Sequence, residues 1–132
     1  MTLLDTNVLI HFLKGRQGVV ERMLAAPARE LAVSTVSQYE LEFGALRSAH
    51  PAARRKVIRE LCRDLVVVPF DGAAALDAAA IRAGLAARGE LIGPMDLLIA
   101  GTARSRGALL VTGNMREFSR VEGLRLADWT TA

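Results

Sequence analysis

Short, uninterrupted apolar runs alternate along the chain with longer stretches in which apolar residues recur every third or fourth position. Uninterrupted runs, in contrast to strictly alternating ones, are typical of strands buried on both faces of a parallel sheet. They predict strands at residues 3–4, 31–33, 65–68, 109–111 and 124–126. Because strands alternate with helical stretches, the pattern predicts an α/β fold, with a mostly parallel central sheet of about five strands and helices on both faces.

Glycine and proline residues mark the ends of several helical stretches. Pro27 ends one stretch, and Pro94 lies where the first turn of a later helix begins. The predicted helices cover residues 8–13, 19–26, 35–48, 51–63, 73–88 and 93–106. The chain contains no internal repeat, low-complexity tract or linker, so we expect its 132 residues to form a single domain, 1–132.

The composition narrows the class of protein. Hydrophobic residues make up 52% and charged residues 23% of the chain, which is typical of a globular protein and not of a disordered one. No apolar run approaches the length of a membrane span, and the first residues lack the basic and apolar regions of a signal peptide. Cys62 is the only cysteine, which excludes a disulfide framework. We therefore expect a cytoplasmic protein with no membrane partner.

The chain is mildly basic, and most of its basic residues are arginines. Seventeen basic residues against fourteen acidic ones give a net charge of +3, and only Lys14 and Lys56 are lysines. The planar guanidinium group can bind two phosphate oxygens at once, which suits a nucleic-acid substrate. A charge of this size is equally common in proteins that bind no nucleic acid, so the charge alone leaves both interpretations open.

Acidic and amide residues follow several of the predicted strands. Asp5 directly follows the first strand, and Glu40 lies on the helix after the second. Asn114 and Glu117 follow the fourth strand, and Asp96 lies in the first turn of the last long helix. The carboxyl ends of parallel strands meet at one edge of a sheet, where binding sites lie. Asp96 reaches that edge only if the helix before it crosses back over the sheet.

Two of these acids also have a purely structural interpretation. Asp5 fits the N-cap of the first helix, and Asp96 fits the favourable position of an anion in the first turn of a helix. The segment after Asp96 is apolar on every face, which indicates a buried helix. A buried carboxylate requires a partner, and a cation is one option.

Periodicity does not decide between Glu40 and Glu42 as the acid on the third helix, because they flank its apolar face on opposite sides. Leu41 projects away from that face, which indicates a second buried surface. The apolar face is predicted from four residues: Val36, Tyr39, Phe43 and Leu46.

A group of carboxylates at one edge requires a cation to balance their repulsion. Hard oxygen ligands select Mg²⁺ or Mn²⁺, whereas His11, His50 and Cys62 lack the spacing of a zinc site. Mg²⁺ keeps several waters and can present one of them to a phosphodiester. The residues by themselves therefore predict a Mg²⁺ site for phosphoryl transfer.

Four segments together resemble the motifs of the PIN-domain ribonucleases, in the family's order and spacing. They are residues 4–10, 39–45, 92–100 and 110–118, and the third is similar to that of bacterial toxins of the VapC type. Residues 121–124 and 128–129 follow as in many such toxins, so the resemblance covers essentially the whole chain.

The resemblance implies a PIN-like three-layer sandwich whose acids gather around Mg²⁺ or Mn²⁺. The function it implies is that of an endoribonuclease toxin that cleaves structured RNA, either tRNA or ribosomal RNA, by metal-activated water. Matching the motifs residue by residue assigns the catalytic, metal-binding acids Asp5, Glu40 and Asp96. It favours Glu40 over Glu42, and it assigns supporting polar roles to three further residues: Thr6, Asn7 and Thr112.

The chain departs from the family pattern at Asn114, where many members have Asp. An amide oxygen can bind a metal but adds no charge. Either Asn114 or Glu117, one helical turn further on, completes the site. A PIN-like binding or regulatory subunit with a degraded metal site remains the alternative. Phosphatase and receiver domains are disfavoured, because position 7 is Asn and neither lysine follows a late strand.

The resemblance also implies partners. Toxins of this type form homodimers, are blocked by a cognate antitoxin in a hetero-oligomer, and contact DNA only through that antitoxin. Leu41 is a candidate for the dimer or antitoxin contact. A basic run on the fourth helix fits either a solvated face or an RNA-backbone contact; it consists of Arg54, Arg55, Lys56, Arg59 and Arg63.

Overall fold

The computed structural model describes residues 1–131 and contains a five-stranded sheet with the order β3-β2-β1-β4-β5. Every neighbouring pair is parallel, and Leu3 at the centre is paired with Ala32 on one side and Leu110 on the other. The strands are β1 (Thr2–Leu4), β2 (Leu31–Ser34), β3 (Val66–Val68), β4 (Leu109–Val111) and β5 (Arg125–Ala127). The predicted parallel α/β sheet is confirmed.

Six of the helices within residues 1–131 lie close to the predicted positions, and α7 was not predicted. The helices are α1 (Thr6–Leu13), α2 (Gln17–Ala25), α3 (Thr35–Leu46), α4 (Pro51–Arg63), α5 (Gly72–Ala87), α6 (Pro94–Ser105) and α7 (Met115–Phe118). A short 3₁₀ turn, Ala28–Glu30, precedes β2. No helix within residues 1–131 is long and apolar enough to cross a membrane.

The sheet separates two apolar clusters, so successive residues of a strand face opposite layers. Leu3 and Leu110 pack on one side with residues of α5 and α6, and Leu4 and Val111 pack on the other with residues of α1 to α4. This is the predicted arrangement of helices on both faces. The predicted burial on both faces is confirmed for the central strands. It was wrong for the edge strand β3, where Val66 and Val67 are 39% and 40% exposed.

Helices α5 and α6 lie antiparallel, which brings the start of α6 back to the sheet edge where the strands end. Arg106, just after α6, donates to the Asp71 carboxylate just before α5 at 3.0 Å. Gly101 lies against Ala78 and the Ala74 carbonyl so closely that a β-carbon would meet both within 2.7 Å. This close packing of α6 on α5 holds Asp96 at the sheet edge. The condition set by the sequence, that the helix before Asp96 crosses back over the sheet, is therefore met.

The predicted packing face of α3 was wrong in part. Val36 is buried, but Tyr39, Phe43 and Leu46 are 61%, 52% and 52% exposed. The helix packs instead through a face shifted around its axis, formed by Val36, Ser37, Leu41 and Ala45. Leu41, expected to serve a partner contact, is 4% exposed inside the chain's own core, so that prediction was wrong as well.

Candidate active site

Asp5 lies at the carboxyl end of β1, beside the point where the chain switches from one half of the sheet to the other. Its backbone N–H continues the sheet by donating to the Val111 carbonyl at 2.9 Å. One carboxylate oxygen accepts from the Thr6 backbone N–H and the other from the Thr112 hydroxyl, each at 2.8 Å. Burial raises the pKa of Asp5, nearby Glu40 raises it further, and these two hydrogen bonds oppose the rise. Asp5 is thus both a helix cap and a buried acid held between two strands.

Glu40 reaches the same edge from α3, whose position is fixed by the end of β2. Ser34 caps the helix by accepting from the Ser37 backbone N–H at 3.0 Å. Glu40 then lies on the side of α3 that faces β1, and its Oε1 accepts from the Thr6 hydroxyl at 2.7 Å. The threonine that follows Asp5 therefore links the first acid to the second.

Asp96 lies in the first turn of α6, where Gly93 is the N-cap and Pro94 the first helical residue. Burial raises the pKa of Asp96 to about 6, and the charges of Asp5, Glu117 and Glu40 contribute in that order. Four carboxylates are therefore near enough to interact, although they come from four separate segments of the chain. The Asp96 carboxylate accepts no hydrogen bond from residues 1–131.

The segment after β4 supplies the fourth acid. The Thr112 hydroxyl, which donates to Asp5, accepts from the Asn114 backbone N–H at 2.9 Å. The Asn114 side-chain amide donates to Glu117 Oε2 at 3.2 Å. Asn114 therefore orients Glu117, and Glu117 brings its negative charge to Asp96.

Comparison with known proteins agrees with this architecture. The PIN domain profile matches residues 2–124. A tRNA(fMet)-specific endonuclease VapC of Shigella flexneri is 41% identical over 97% of both chains. A chain of DNA-bound VapBC from Salmonella typhimurium superposes with a TM-score of 0.92 at 38% identity over 97% of both chains. VapBC-1 from nontypeable Haemophilus influenzae gives 0.90 at 30% identity over 98% of both chains. The chain belongs to the PIN-domain family, among the VapC ribonucleases.

The PIN-domain resemblance selected between the two glutamates of α3, and the geometry agrees with that selection. The Glu42 carboxylate forms an ion pair with Arg55 of α4, with Arg59 at 3.8 Å. It therefore serves the contact between α3 and α4 and lies away from the acids. Asn7, predicted as a supporting residue, is exposed, and its side chain forms no hydrogen bond within residues 1–131.

The donor set of this PIN domain fits a hard divalent cation. Its carboxylate oxygens are the ligands that Mg²⁺ and Mn²⁺ prefer. The pKa of Asp96 is raised mainly by burial and further by the neighbouring carboxylates, and a cation would offset both effects. Among residues 1–131, no three His, Cys, Asp or Glu side chains lie close enough together to hold a metal ion in their present positions, so binding would draw the acids closer. An ion here would complete its coordination with water, as Mg²⁺ usually does in proteins.

Ser37 was missed by the sequence analysis. Its side chain is fully buried, and its hydroxyl lies 2.9 Å from the Thr6 hydroxyl that contacts Glu40. A signal was present, because residues three apart on a helix share a face and Ser37 precedes Glu40 by three. Serine in the first turn of a helix usually indicates capping, so the sequence alone did not suggest a contact between Ser37 and the site.

Proposed function

We propose that this chain is a Mg²⁺- or Mn²⁺-dependent endoribonuclease and the toxin of a toxin–antitoxin pair. The observation that carries the proposal is the meeting of four carboxylates, from Asp5, Glu40, Asp96 and Glu117, at one sheet edge, with the pKa of Asp96 raised to about 6. Because the chain belongs to a family of nucleases, we interpret this acidic cluster as a metal site for phosphodiester cleavage. Crowding of this kind destabilises a metal-free fold, and binding sites account for many such arrangements.

Asp5, Glu40 and Asp96 would hold the metal, and Glu117 would add the fourth negative charge in place of the aspartate that many PIN domains have at position 114. The bound ion supplies an activated water and offsets charge on the phosphate. Thr112 keeps Asp5 oriented through a hydrogen bond of 2.8 Å. The buried position of Asp5, which is 3% exposed, limits the access of bulk water.

The substrate we propose is structured RNA, with initiator tRNA as the first candidate. Curated relatives at 41% and 36% identity, each matched over nearly its whole length, are named tRNA(fMet)-specific endonucleases. The mildly basic surface is compatible with an RNA backbone. On α4, however, Arg55 and Arg59 are engaged by Glu42, so fewer of the basic residues on this helix are available to phosphate than the sequence indicated.

We also propose that a cognate antitoxin blocks the site, that the chain forms a homodimer, and that contact with DNA occurs through the antitoxin. Related solved structures are those of VapBC, and two of them are bound to DNA. The surface that we assign to the second copy is the α3 stripe, defined as Tyr39, Phe43 and Leu46. These three large apolar side chains are each at least 52% exposed along one side of the helix.

Two measurements test the catalytic proposal. Calorimetry with Mn²⁺ should detect binding to the wild-type protein and to Glu42→Gln. Asp5→Asn should lose at least the roughly 10- to 100-fold in affinity that removal of a group supporting a ligand costs, because Asp5 itself would be a ligand. Incubation with initiator tRNA should give one defined cut, with elongator methionine tRNA as the control. A folded wild-type protein that binds no metal and cuts no RNA would favour the binding-only alternative.

A further inference from the structure

Ser37 and Thr6 come from different elements and meet beneath the acidic site. Ser37 lies on α3 with no exposed surface, and Thr6 is the first residue of α1. Their hydroxyl oxygens are 2.9 Å apart, and the same Thr6 oxygen lies 2.7 Å from Glu40 Oε1. Ser37 forms no side-chain hydrogen bond with Asp5 or Glu40, so any influence on Glu40 passes through Thr6.

The count of protons fixes the direction of these two contacts. The Thr6 hydroxyl has a single proton, and an ionised carboxylate can only accept. Thr6 therefore donates to Glu40, and the hydroxyl of Ser37 donates to Thr6. In this arrangement Ser37 occupies the acceptor side of the Thr6 oxygen and leaves the Thr6 proton directed at Glu40. Without Ser37, Thr6 is free to turn its proton elsewhere.

The backbone holds Ser37 in place for this contact. The Ser37 N–H donates to the hydroxyl of Ser34 at 3.0 Å, and Ser34 is the last residue of β2 and fully buried. The start of α3 is thus fixed to the sheet by a capping bond. The Ser37 side chain is presented to Thr6 by a rigid element and loses little further freedom on making its hydrogen bond.

We propose that Ser37 is a positioning residue of the nuclease site. It orients the Thr6 hydroxyl, and through it the Glu40 carboxylate, which would bind the cation. This inference rests on the proposed function, because it concerns the same acidic site. Groups hydrogen-bonded directly to metal ligands commonly change metal affinity by about 10- to 100-fold when removed, and Thr6 is such a group. Ser37 acts through Thr6, so its removal lowers the affinity by no more than the removal of the Thr6 hydroxyl does.

A double-mutant cycle tests the proposal, with Mn²⁺ alone as the probe. Ser37→Ala and Thr6→Val should each weaken Mn²⁺ binding by about 10-fold, and the double variant should be no weaker than Thr6→Val. Ser48→Ala is the matched control. It removes a hydroxyl just beyond the same helix that donates only to the Ala45 carbonyl, and it should leave the affinity unchanged. Thermal unfolding establishes that every variant is folded.

The outcomes separate this inference from the proposed function. Equal, non-additive losses support it, whereas additive losses, or an unchanged affinity in Ser37→Ala, overturn it. Failure of the wild-type protein to bind Mn²⁺ refutes the proposed function. The inference about Ser37 is then tested without metal, by NMR. NMR couplings to the Thr6 methyl group should then report one side-chain rotamer in the wild type and averaging in Ser37→Ala. A single rotamer in both proteins overturns the inference.

Discussion

Burial at the head of α6 and three neighbouring carboxylates raise the pKa of Asp96 from 3.8 to about 6. The neutral acid is therefore favoured in the folded protein, and the charged form opposes folding. The stability that the protein has with Asp96 neutral is fully present below about pH 4, and it is lost as the pH rises through 6 and Asp96 ionises. At neutral pH the metal-free protein carries an unfavourable charge at this position, which a cation would balance.

Asp96→Asn should accordingly stabilise the metal-free protein at pH 7.5 and have little effect at pH 3.5. Allowing for the partial exposure of the carboxyl, we expect a gain on the order of 1 kcal/mol, or about 4 °C in Tm. Thermal unfolding in chelator across this pH range measures the difference. Added Mn²⁺ should raise the Tm of the wild type alone. A variant less stable than the wild type at pH 7.5 would contradict the assignment of Asp96 to the acidic cluster.

Asn114→Asp should tighten Mn²⁺ binding and weaken the metal-free fold. The change replaces an amide that donates to Glu117 at 3.2 Å with a like charge. We expect roughly 10-fold higher affinity by calorimetry, and a Tm in chelator lower by about 3 °C.

The matched control for Asn114→Asp is Gln17→Glu. The Gln17 amide donates to the Glu21 carboxylate at 2.9 Å, so this change also replaces a donating amide with a like charge. It repeats the change from amide to carboxylate on the exposed surface of α2. Its Mn²⁺ affinity should match that of the wild type. An unchanged affinity in Asn114→Asp would show that the site is not short of charge.

At this scale the sequence predicted the acids but not their partners. The family motif selected Glu40, yet only the fold shows that Arg55 engages Glu42 from the next helix. Local periodicity carries no information about such a pairing, because it depends on how α3 and α4 dock. The sequence showed that Ser37 shares a helix face with Glu40. It did not show the contact between Ser37 and Thr6, because 31 residues separate them and the contact depends on how α1 and α3 dock.

Among the elements, α5 and α6 form the contact on which the position of Asp96 depends. Gly101→Ala should be destabilising, because the added β-carbon would lie 2.6 Å from the Ala78 β-carbon and 2.7 Å from the Ala74 carbonyl oxygen. Overpacking against backbone atoms costs about 1–3 kcal/mol, and urea unfolding measures it. Gly84→Ala is the control within α5, where a β-carbon meets nothing within 4 Å.

Gly84→Ala should instead stabilise the protein by up to about 1 kcal/mol, because alanine favours a helix more than glycine does. Equal unfolding free energies for the two variants would show that the packing of α6 on α5 is looser than described. A destabilised Gly101→Ala protein should also bind Mn²⁺ more weakly, since Asp96 moves with α6.

The elements themselves were largely predictable, since each strand begins and ends within about two residues of its apolar run. Short buried strands and glycine- or proline-bounded helices are local features that propensity and periodicity detect. The face of α3 was not predictable. A stripe with Tyr39 and Phe43 looks like a core face, and nothing in the sequence distinguishes a core of the same chain from a surface that awaits another chain.

On the scale of the whole molecule, the exposed α3 stripe predicts self-association. The antitoxin-free protein should have twice the 14.2 kDa mass of the chain by light scattering, and Phe43→Glu should have the single mass. A buried charge without a partner opposes the interface. Leu24→Glu is the control, since Leu24 is 75% exposed on α2 and should leave the dimer intact. A dimeric Phe43→Glu protein would place the contact elsewhere.

The central claim is that the acids at the carboxyl edge of the sheet make this chain a metal-dependent ribonuclease. The most direct test is cleavage of total bacterial RNA by the purified, antitoxin-free protein, with Mg²⁺ or with chelator. The wild type and Glu42→Gln should give the same discrete fragments with Mg²⁺. Glu40→Gln should be slower by at least about 100-fold, and chelator should abolish cleavage. Cleavage by Glu40→Gln at the wild-type rate, or cleavage that persists in chelator, would contradict the account.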